Sequence, residues 1–270
     1  MRIVRFASPS GMSFGVLDGD GFVAQIEGHP FGQLSFTGAR YARADVRLLS
    51  PILPSKVVCI GKNYAEHVTE MNTGDAPKEP LLFLKPSTSV IGPEDAIRIP
   101  PGSTNVHHEV ELAVVIGARG ARNVPPEQVP ASIFGYTIGN DVTERDMQRG
   151  DGQWTRAKGF DSFCPLGPWI ETDLGALGLD PADLEITCTV DGDPRQQGRT
   201  SQLLFGVPTL VSYISQVMTL LPGDVVLTGT PSGVGPIKAG QRVECTVEGL
   251  GTLGNPVTDA EPLSTAGGAR

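Results

Sequence analysis

The chain lacks most of the features that give a function away at a glance. Its four cysteines, Cys59, Cys164, Cys188 and Cys245, stand far apart with no CxxC pair. That spacing leaves a zinc knuckle or a thioredoxin-type centre without support. Cys59 and Cys188 lie in apolar, strand-like runs, "KVVCIG" and "EITCTV", and read as buried free thiols in a reducing compartment. No apolar run approaches the roughly 18 residues of a membrane-spanning helix. The opening "MRIVRFASPSGMSFG" has arginines but no apolar core of a signal peptide. A soluble cytoplasmic protein with no membrane partner is the expectation. Positive charge is also short: 21 Lys and Arg stand against 30 Asp and Glu, a net charge of −9. Nucleic acid is therefore not an expected partner, because phosphate backbones need concentrated positive charge. A P-loop is missing as well, which leaves a phosphate-loop reading unsupported.

What is abundant is punctuation. The 34 glycines and 23 prolines cut the 270 residues into many short segments, as a strand-rich fold requires. Residues 1–52 read as a small N-terminal β module, with "DGDG" at 18–21 as a hairpin turn. "LLSPILPSK" is a proline-bearing connector. A main domain follows over 53–257, and the tail 258–270 has no buried pattern and is expected to fray. Within the main domain "KVVCIG", "LLFLKP", "SVIG", "EVELAVVIG" and "IFGYTIGNDVT" read as extended, with a helix beginning near Glu144. "LEITCTVDGDPRQQGRT" reads as a hairpin turning at 191–193. "GVPTLVSYISQVMTLLPGD" is the best helix, with Leu210, Ile214, Val217, Met218 and Leu221 at helical spacing. "DVVLTGTPSGVG" and "QRVECTVEGLG" close the fold as strands. Strands outnumber helices and do not alternate with them, so the fold class is mixed α/β, β-dominant.

Two acids in "HHEVELAVVI" raise the functional question. Residues two apart on a strand share a face, so Glu109 and Glu111 project side by side while Val110 and Leu112 face the other way. Two adjacent buried carboxylates repel, and a divalent cation removes that repulsion. An exposed strand face is the plain alternative. Asp141, where "YTIGND" gives way to a helix, supplies a third acid. Three carboxylates with oxygen donors suit Mg²⁺, Mn²⁺ or Ca²⁺ better than zinc. His107 and His108 lack HExxH spacing and are assigned supporting roles before ligation. His67 and Glu70 in "GKNYAEHVTEM" lie three apart, one face of a helix, as a general-base dyad or an ordinary surface pair. Lys158 in "WTRAKGFDSF" has apolar neighbours and can face an anion, or can be a loop lysine in water. "LTGTPSGVG" can offer backbone N–H groups and the Thr230 hydroxyl to an oxyanion, or be a tight turn. The polar stretch 69–80 can act as a lid or be a plain surface loop.

Taken in order, "GKNYAEHVTEMN", "PLLFLKPSTSVIGP", "HHEVELAVVIG", "YTIGNDVTERDMQ", "WTRAKGFDSFCPLGPWI" and "LTGTPSGVGP" resemble the fumarylacetoacetate hydrolase family over about residues 55–250. The similarity is greatest to the short-chain branch of acylpyruvate hydrolases, oxaloacetate decarboxylases or tautomerases, and 2-hydroxyhepta-2,4-diene-1,7-dioate isomerases. The resemblance implies a β-sandwich or roll, usually dimeric. It implies metal ligation by Glu109, Glu111 and Asp141, catalysis by His67, Glu70 and Lys158, and substrate contacts from Arg145, Gln148 and Thr230. A metal-stabilised enolate would then serve Mg²⁺-dependent cleavage of a C–C bond in an acylpyruvate-like diketo acid. The same enolate serves an isomerase, tautomerase or oxaloacetate decarboxylase. A non-catalytic binding protein on the same fold is the alternative from another class. The intact His67–Glu70 pair speaks against it.

Overall fold

The computed structural model describes residues 1–70 and 75–261. The N-terminal module contains β1 (Arg2–Ser8), β2 (Gly11–Leu17), β3 (Phe22–Ile26), β4 (Phe36–Ala42) and β5 (Arg47–Leu49). Then come β6 (Val57–Gly61), α1 (Ala65–Glu70), β7 (Leu81–Lys85), β8 (Val90–Ile91), β9 (Ile97–Ile99), β10 (Val106–His108) and β11 (Val110–Ile116). The middle holds β12 (Ile133–Asn140), β13 (Thr143–Glu144), α2 (Arg145–Gly150), α3 (Thr155–Lys158) and β14 (Cys164–Glu171). The last stretch is β15 (Glu185–Val190), β16 (Asp193–Arg199), α4 (Val207–Val217), β17 (Val225–Leu227), β18 (Gly235–Pro236), β19 (Arg242–Val247) and β20 (Gly251–Asp259). The mixed, β-dominant class expected from the sequence is what the chain adopts. No helix among the described residues is long and apolar enough to cross a membrane.

The main sheet runs β4-β3-β2-β1-β14-β12-β11-β17-β6-β7, with β5 on β1 and β8 on β14. A second sheet, β16-β15-β19-β20-β9, and a small one, β13-β10-β18, lie beside it. The chemistry of β11 explains its central place. Val110, Leu112, Val114 and Ile116 join one core cluster, whereas Ala113 and Val115 join another. A strand covered on both faces reads as a continuous apolar run. β15 and β19 instead alternate buried and half-buried residues, the pattern of a sheet packed on one side. The N-terminal module has a small core of its own around Val4, Phe6, Val23, Val46 and Leu48. Its β1 nevertheless pairs antiparallel with β14 through Arg2–Glu171 and Ile3–Ile170, so the module extends the main sheet.

Two expectations need correction. The helix α4 stops at Val217 because Met218 turns extended and Leu220 bridges to Ala121. Its buried face is Val207, Leu210, Val211 and Ile214, while Val217 and Leu221 are exposed. The tail does not leave the fold at Thr258: Thr258 and Asp259 pair with Arg98 and Ile99 of β9. The rest of that expectation, residues 262–270, lies outside the described residues. So do residues 71–74 of the segment expected to act as a lid.

β11 is antiparallel to both β12 and β17, and β17 is parallel to β6. The start of β11 and the ends of β12, β17 and β6 therefore share one edge of the sheet.

Candidate active site

At that edge the chain breaks strand pairing at Glu109. β10 belongs to the small sheet and β11 to the main one, so Glu109 is the crossing point. Its backbone N–H donates to Asn140 Oδ1 at 2.9 Å, and its carbonyl accepts from Asp141 N at 2.9 Å. Val110 N donates to Gln196 Oε1 at 3.1 Å. Side-chain amides thus replace the missing ladder, as a buried backbone requires. The outcome is that Glu109, Glu111 and Asp141, all buried, bring ligand oxygens within 4.8 Å of one another.

Protein cations surround these acids. Lys158 Nζ donates to Glu109 Oε2 at 2.8 Å and to Asp141 Oδ2 at 2.5 Å. Lys85 Nζ donates to Asp141 Oδ1 at 2.6 Å and to the Val142 carbonyl at 3.1 Å. The Arg145 guanidinium pairs with Glu109 Oε1. Glu111 takes a hydrogen bond from Gly229 N at 2.6 Å. Burial works to raise the pKa of Glu109, but Arg145 and Lys158 outweigh it and hold the group below the usual carboxylate range. Glu111 goes the other way: burial first, then Asp141 and Glu109, push it well above that range. Burial would lower Lys158, yet Asp141 and Glu109 keep it raised.

His67 faces the acids from α1. Asn63 ties the β6–α1 turn down, donating to Phe205 O at 3.0 Å and Thr228 O at 2.8 Å and accepting from Phe205 N at 2.8 Å. His67 Nδ1 lies 3.2 Å from Glu70 Oε2, and Gly233 N donates to the same carboxylate at 2.9 Å and 3.1 Å. Gly233 has φ +95°, and an added Cβ would stand 2.1 Å from Arg195 O, so only glycine closes this contact. Burial lowers the His67 pKa, against the opposing pull of Glu109 and Glu70. A carboxylate can only accept, so the Glu70 contact favours the tautomer with the proton on Nδ1, which leaves Nε2 as the acceptor.

A cavity of about 360 Å³ joins these parts. Its walls include His67, Glu109, Glu111, Arg145, Lys158 and Thr230, with Phe83 and Trp154 as an aromatic side. All nine residues singled out from the sequence lie in or beside it. Gln148 lines it and accepts from Arg145 Nη1 at 2.9 Å. Arg145 is buried, and its Nε has no partner. Thr230 differs from the expectation. Its hydroxyl donates to the Val110 carbonyl at 2.8 Å and accepts from Gln196 Nε2 at 2.7 Å, so its proton is already committed. The glycine-rich turn likewise gives the amides of Gly229 and Gly233 to Glu111 and Glu70, not to an incoming oxyanion.

Three positioning residues were missed. Lys85 closes the apolar run "LLFLKP", and a lysine in that place is itself a signal for a buried charge. Asn140 and Gln196 gave no signal, because their partners sit 31 and 86 residues away. His108 Nδ1 meets Gln196 Oε1 at 2.9 Å, and His107 Nε2 meets Asn105 Oδ1 at 2.8 Å, both supporting contacts.

Comparison with known proteins places this geometry. The model of the fumarylacetoacetate (FAA) hydrolase C-terminal family matches residues 56–258, and an Rv2993c-like N-terminal family matches residues 1–51. A solved structure named 5-carboxymethyl-2-hydroxymuconate delta-isomerase from Mycobacterium smegmatis is 54% identical, with TM-score 0.89 over 96% of this chain and 100% of that one. Another, 2-hydroxyhepta-2,4-diene-1,7-dioate isomerase from Mycobacterium marinum, is 51% identical, with TM-score 0.87 over 97% and 100%. Mitochondrial oxaloacetate tautomerase FAHD2A of Bos taurus is 39% identical over 95% of this chain and 91% of its own. Matches of this extent set aside a non-catalytic binding protein: the chain is an enzyme of the fumarylacetoacetate hydrolase family.

Proposed function

We propose that the protein moves a proton along a 2-oxo acid carrying a second carboxylate, as an isomerase or tautomerase working through an enolate. One observation carries this reading. A neutral His67, held by Glu70, faces a cluster of three acids and three protein cations across one cavity. The substrates in the relatives' names support the class, since each carries at least two carboxylates and an enolisable oxygen function.

The donor set fits a hard divalent ion: three buried carboxylates, oxygen only, too close together to ionise without added positive charge. Mg²⁺, or Mn²⁺ or Ca²⁺, held by Glu109, Glu111 and Asp141 would supply charge to the substrate's carboxylate and 2-oxo oxygens as the enolate develops. His67 Nε2 takes the proton from carbon 3 and returns it to the oxygen on carbon 2, or to a carbon further along a conjugated chain. Glu70 keeps Nδ1 protonated and so keeps Nε2 basic. Lys158 and Arg145 face the growing negative charge, and the unpartnered Arg145 Nε would be satisfied by an anionic group of the substrate. Phe83 and Trp154 keep water from the enolate. We include a homodimer in this proposal, checked by light scattering at twice the chain mass.

A second reading rests on the same dyad. His67 with Glu70 can deprotonate water, which makes hydrolysis of an acylpyruvate-like diketo acid the alternative. Ultraviolet assays of oxaloacetate keto–enol exchange, dienol diacid isomerisation and acetylpyruvate loss, each with and without EDTA, decide between them. Turnover of acetylpyruvate alone overturns the first reading. Undiminished turnover in EDTA removes the metal from it. His67→Ala should lower kcat by about 10²–10⁴-fold with Mg²⁺ binding in calorimetry unchanged.

A further inference from the structure

The cations around the acid cluster are not equivalent. Both oxygens of Asp141 and both of Glu109 already face a protein cation. Lys85 serves a single acid and is anchored a second time, on the Val142 carbonyl. It is fully buried and does not line the cavity. Lys158 bridges two of the three acids, so its ammonium stands between Glu109 Oε2 and Asp141 Oδ2. A divalent ion with oxygens at about 2.0–2.1 Å would need that same ground, against the repulsion of a like charge. Lys158 also has somewhere to go. It lines the cavity, and its Nζ lies 4.7 Å from the Phe83 ring centroid and 6.0 Å from that of Trp154. Aromatic faces accept an ammonium ion.

We propose that Lys158 is a built-in stand-in for the divalent ion, displaced along the aromatic wall into the cavity when the ion binds, while Lys85 and Arg145 stay. This rests on the reading that the three acids hold a cation. Ion loading and presentation of the Lys158 ammonium to an anionic substrate become one event. Three protein cations already stand in this buried site, so the incoming ion adds positive charge to it. An anion such as a 2-oxo diacid offsets that charge. Ion and anion should then strengthen one another's binding by the same factor.

Mg²⁺ calorimetry on the wild type, Lys158→Met and Lys85→Met, without substrate, tests the proposal. Lys158→Met should bind Mg²⁺ about tenfold more tightly, because a competing charge has gone. Lys85→Met should bind about tenfold more weakly, because Asp141 loses the partner that orients it. Equal tightening in both variants means only charge matters and overturns displacement. So does unchanged or weaker binding in Lys158→Met. The wild type provides a check that needs no variant: Mg²⁺ saturation should alter tryptophan emission as the ammonium moves past Trp154. Saturation by calorimetry with unaltered emission overturns the proposal. No Mg²⁺ or Mn²⁺ binding in wild type and Lys158→Met alike refutes the cation reading itself.

Discussion

At the scale of single residues, the site works by giving like groups unlike surroundings. Glu109 and Glu111 are two residues apart, yet one is held ionised by Arg145 and Lys158 and the other is driven toward its neutral form. The same logic sets His67. Burial lowers its pKa from the ordinary 6.5, so protonation, which removes the base, occurs only below that value. We expect the acidic limb of the kcat/KM–pH profile to fall below pH 6.5. Glu70 pulls the His67 pKa upward, so Glu70→Gln should move the limb further toward acid while lowering kcat. A limb at or above the ordinary value in the wild type contradicts this assignment. The residues that carried the family resemblance were legible because each lies within a short motif: His67 with Glu70, Glu109 with Glu111. Lys85 was legible in principle, as the one charge in "LLFLK". Asn140 and Gln196 were not, because a polar residue on a strand looks the same whether it meets water or a strand break many residues away.

At the scale of elements, the joint between β10 and β11 does the positioning. Gln196 on β16 makes four hydrogen bonds there: it accepts from His108 Nδ1 and Val110 N and donates to Thr230 Oγ1 and the Pro231 carbonyl. It thereby fastens the acid-bearing strand to the turn whose Gly229 holds Glu111. Gln196→Leu preserves bulk and strands these groups. Each unsatisfied buried group costs about 1–3 kcal/mol, so we expect a loss of about 3 kcal/mol in urea unfolding. Mg²⁺ affinity should fall with it, and a variant of unchanged stability would show the hub to be dispensable. The helix α4 shows the limit of periodicity at this scale. The apolar spacing continued through Met218 and Leu221, but Leu220 is taken by an isolated bridge to Ala121, a long-range pairing that ends the helix early. Tertiary demand overrode the local pattern.

At the scale of the whole molecule, residues 1–52 read in the sequence as a module by themselves, and their strands join the main sheet. They own a small core, yet β1 covers the end of β14 at Ile170 and Glu171, a stretch that β8, paired with its start, leaves open. Deleting residues 1–51 should leave β14 with unpaired N–H and C=O groups, and such an edge recruits other strands. We expect the truncated chain to associate into large species in light scattering, even if it folds. A well-behaved truncated chain with the parent's assembly state would show that the module only decorates the sheet.

The four buried thiols have a use that concerns no chemistry of the site. Cys59 on β6 and Cys164 on β14 report on the main sheet, while Cys188 on β15 and Cys245 on β19, sulfurs 4.0 Å apart, report on the second. A thiol reagent reaches such groups only when the surrounding structure opens, so the labelling rate of each is a clock for its own sheet. Mass spectrometry of partly labelled protein reads the two clocks separately. Labelling of all four in a single step means the sheets open as one cooperative body. Earlier labelling of Cys188 and Cys245 means the second sheet lifts away first, carrying Gln196 and its grip on the acids with it.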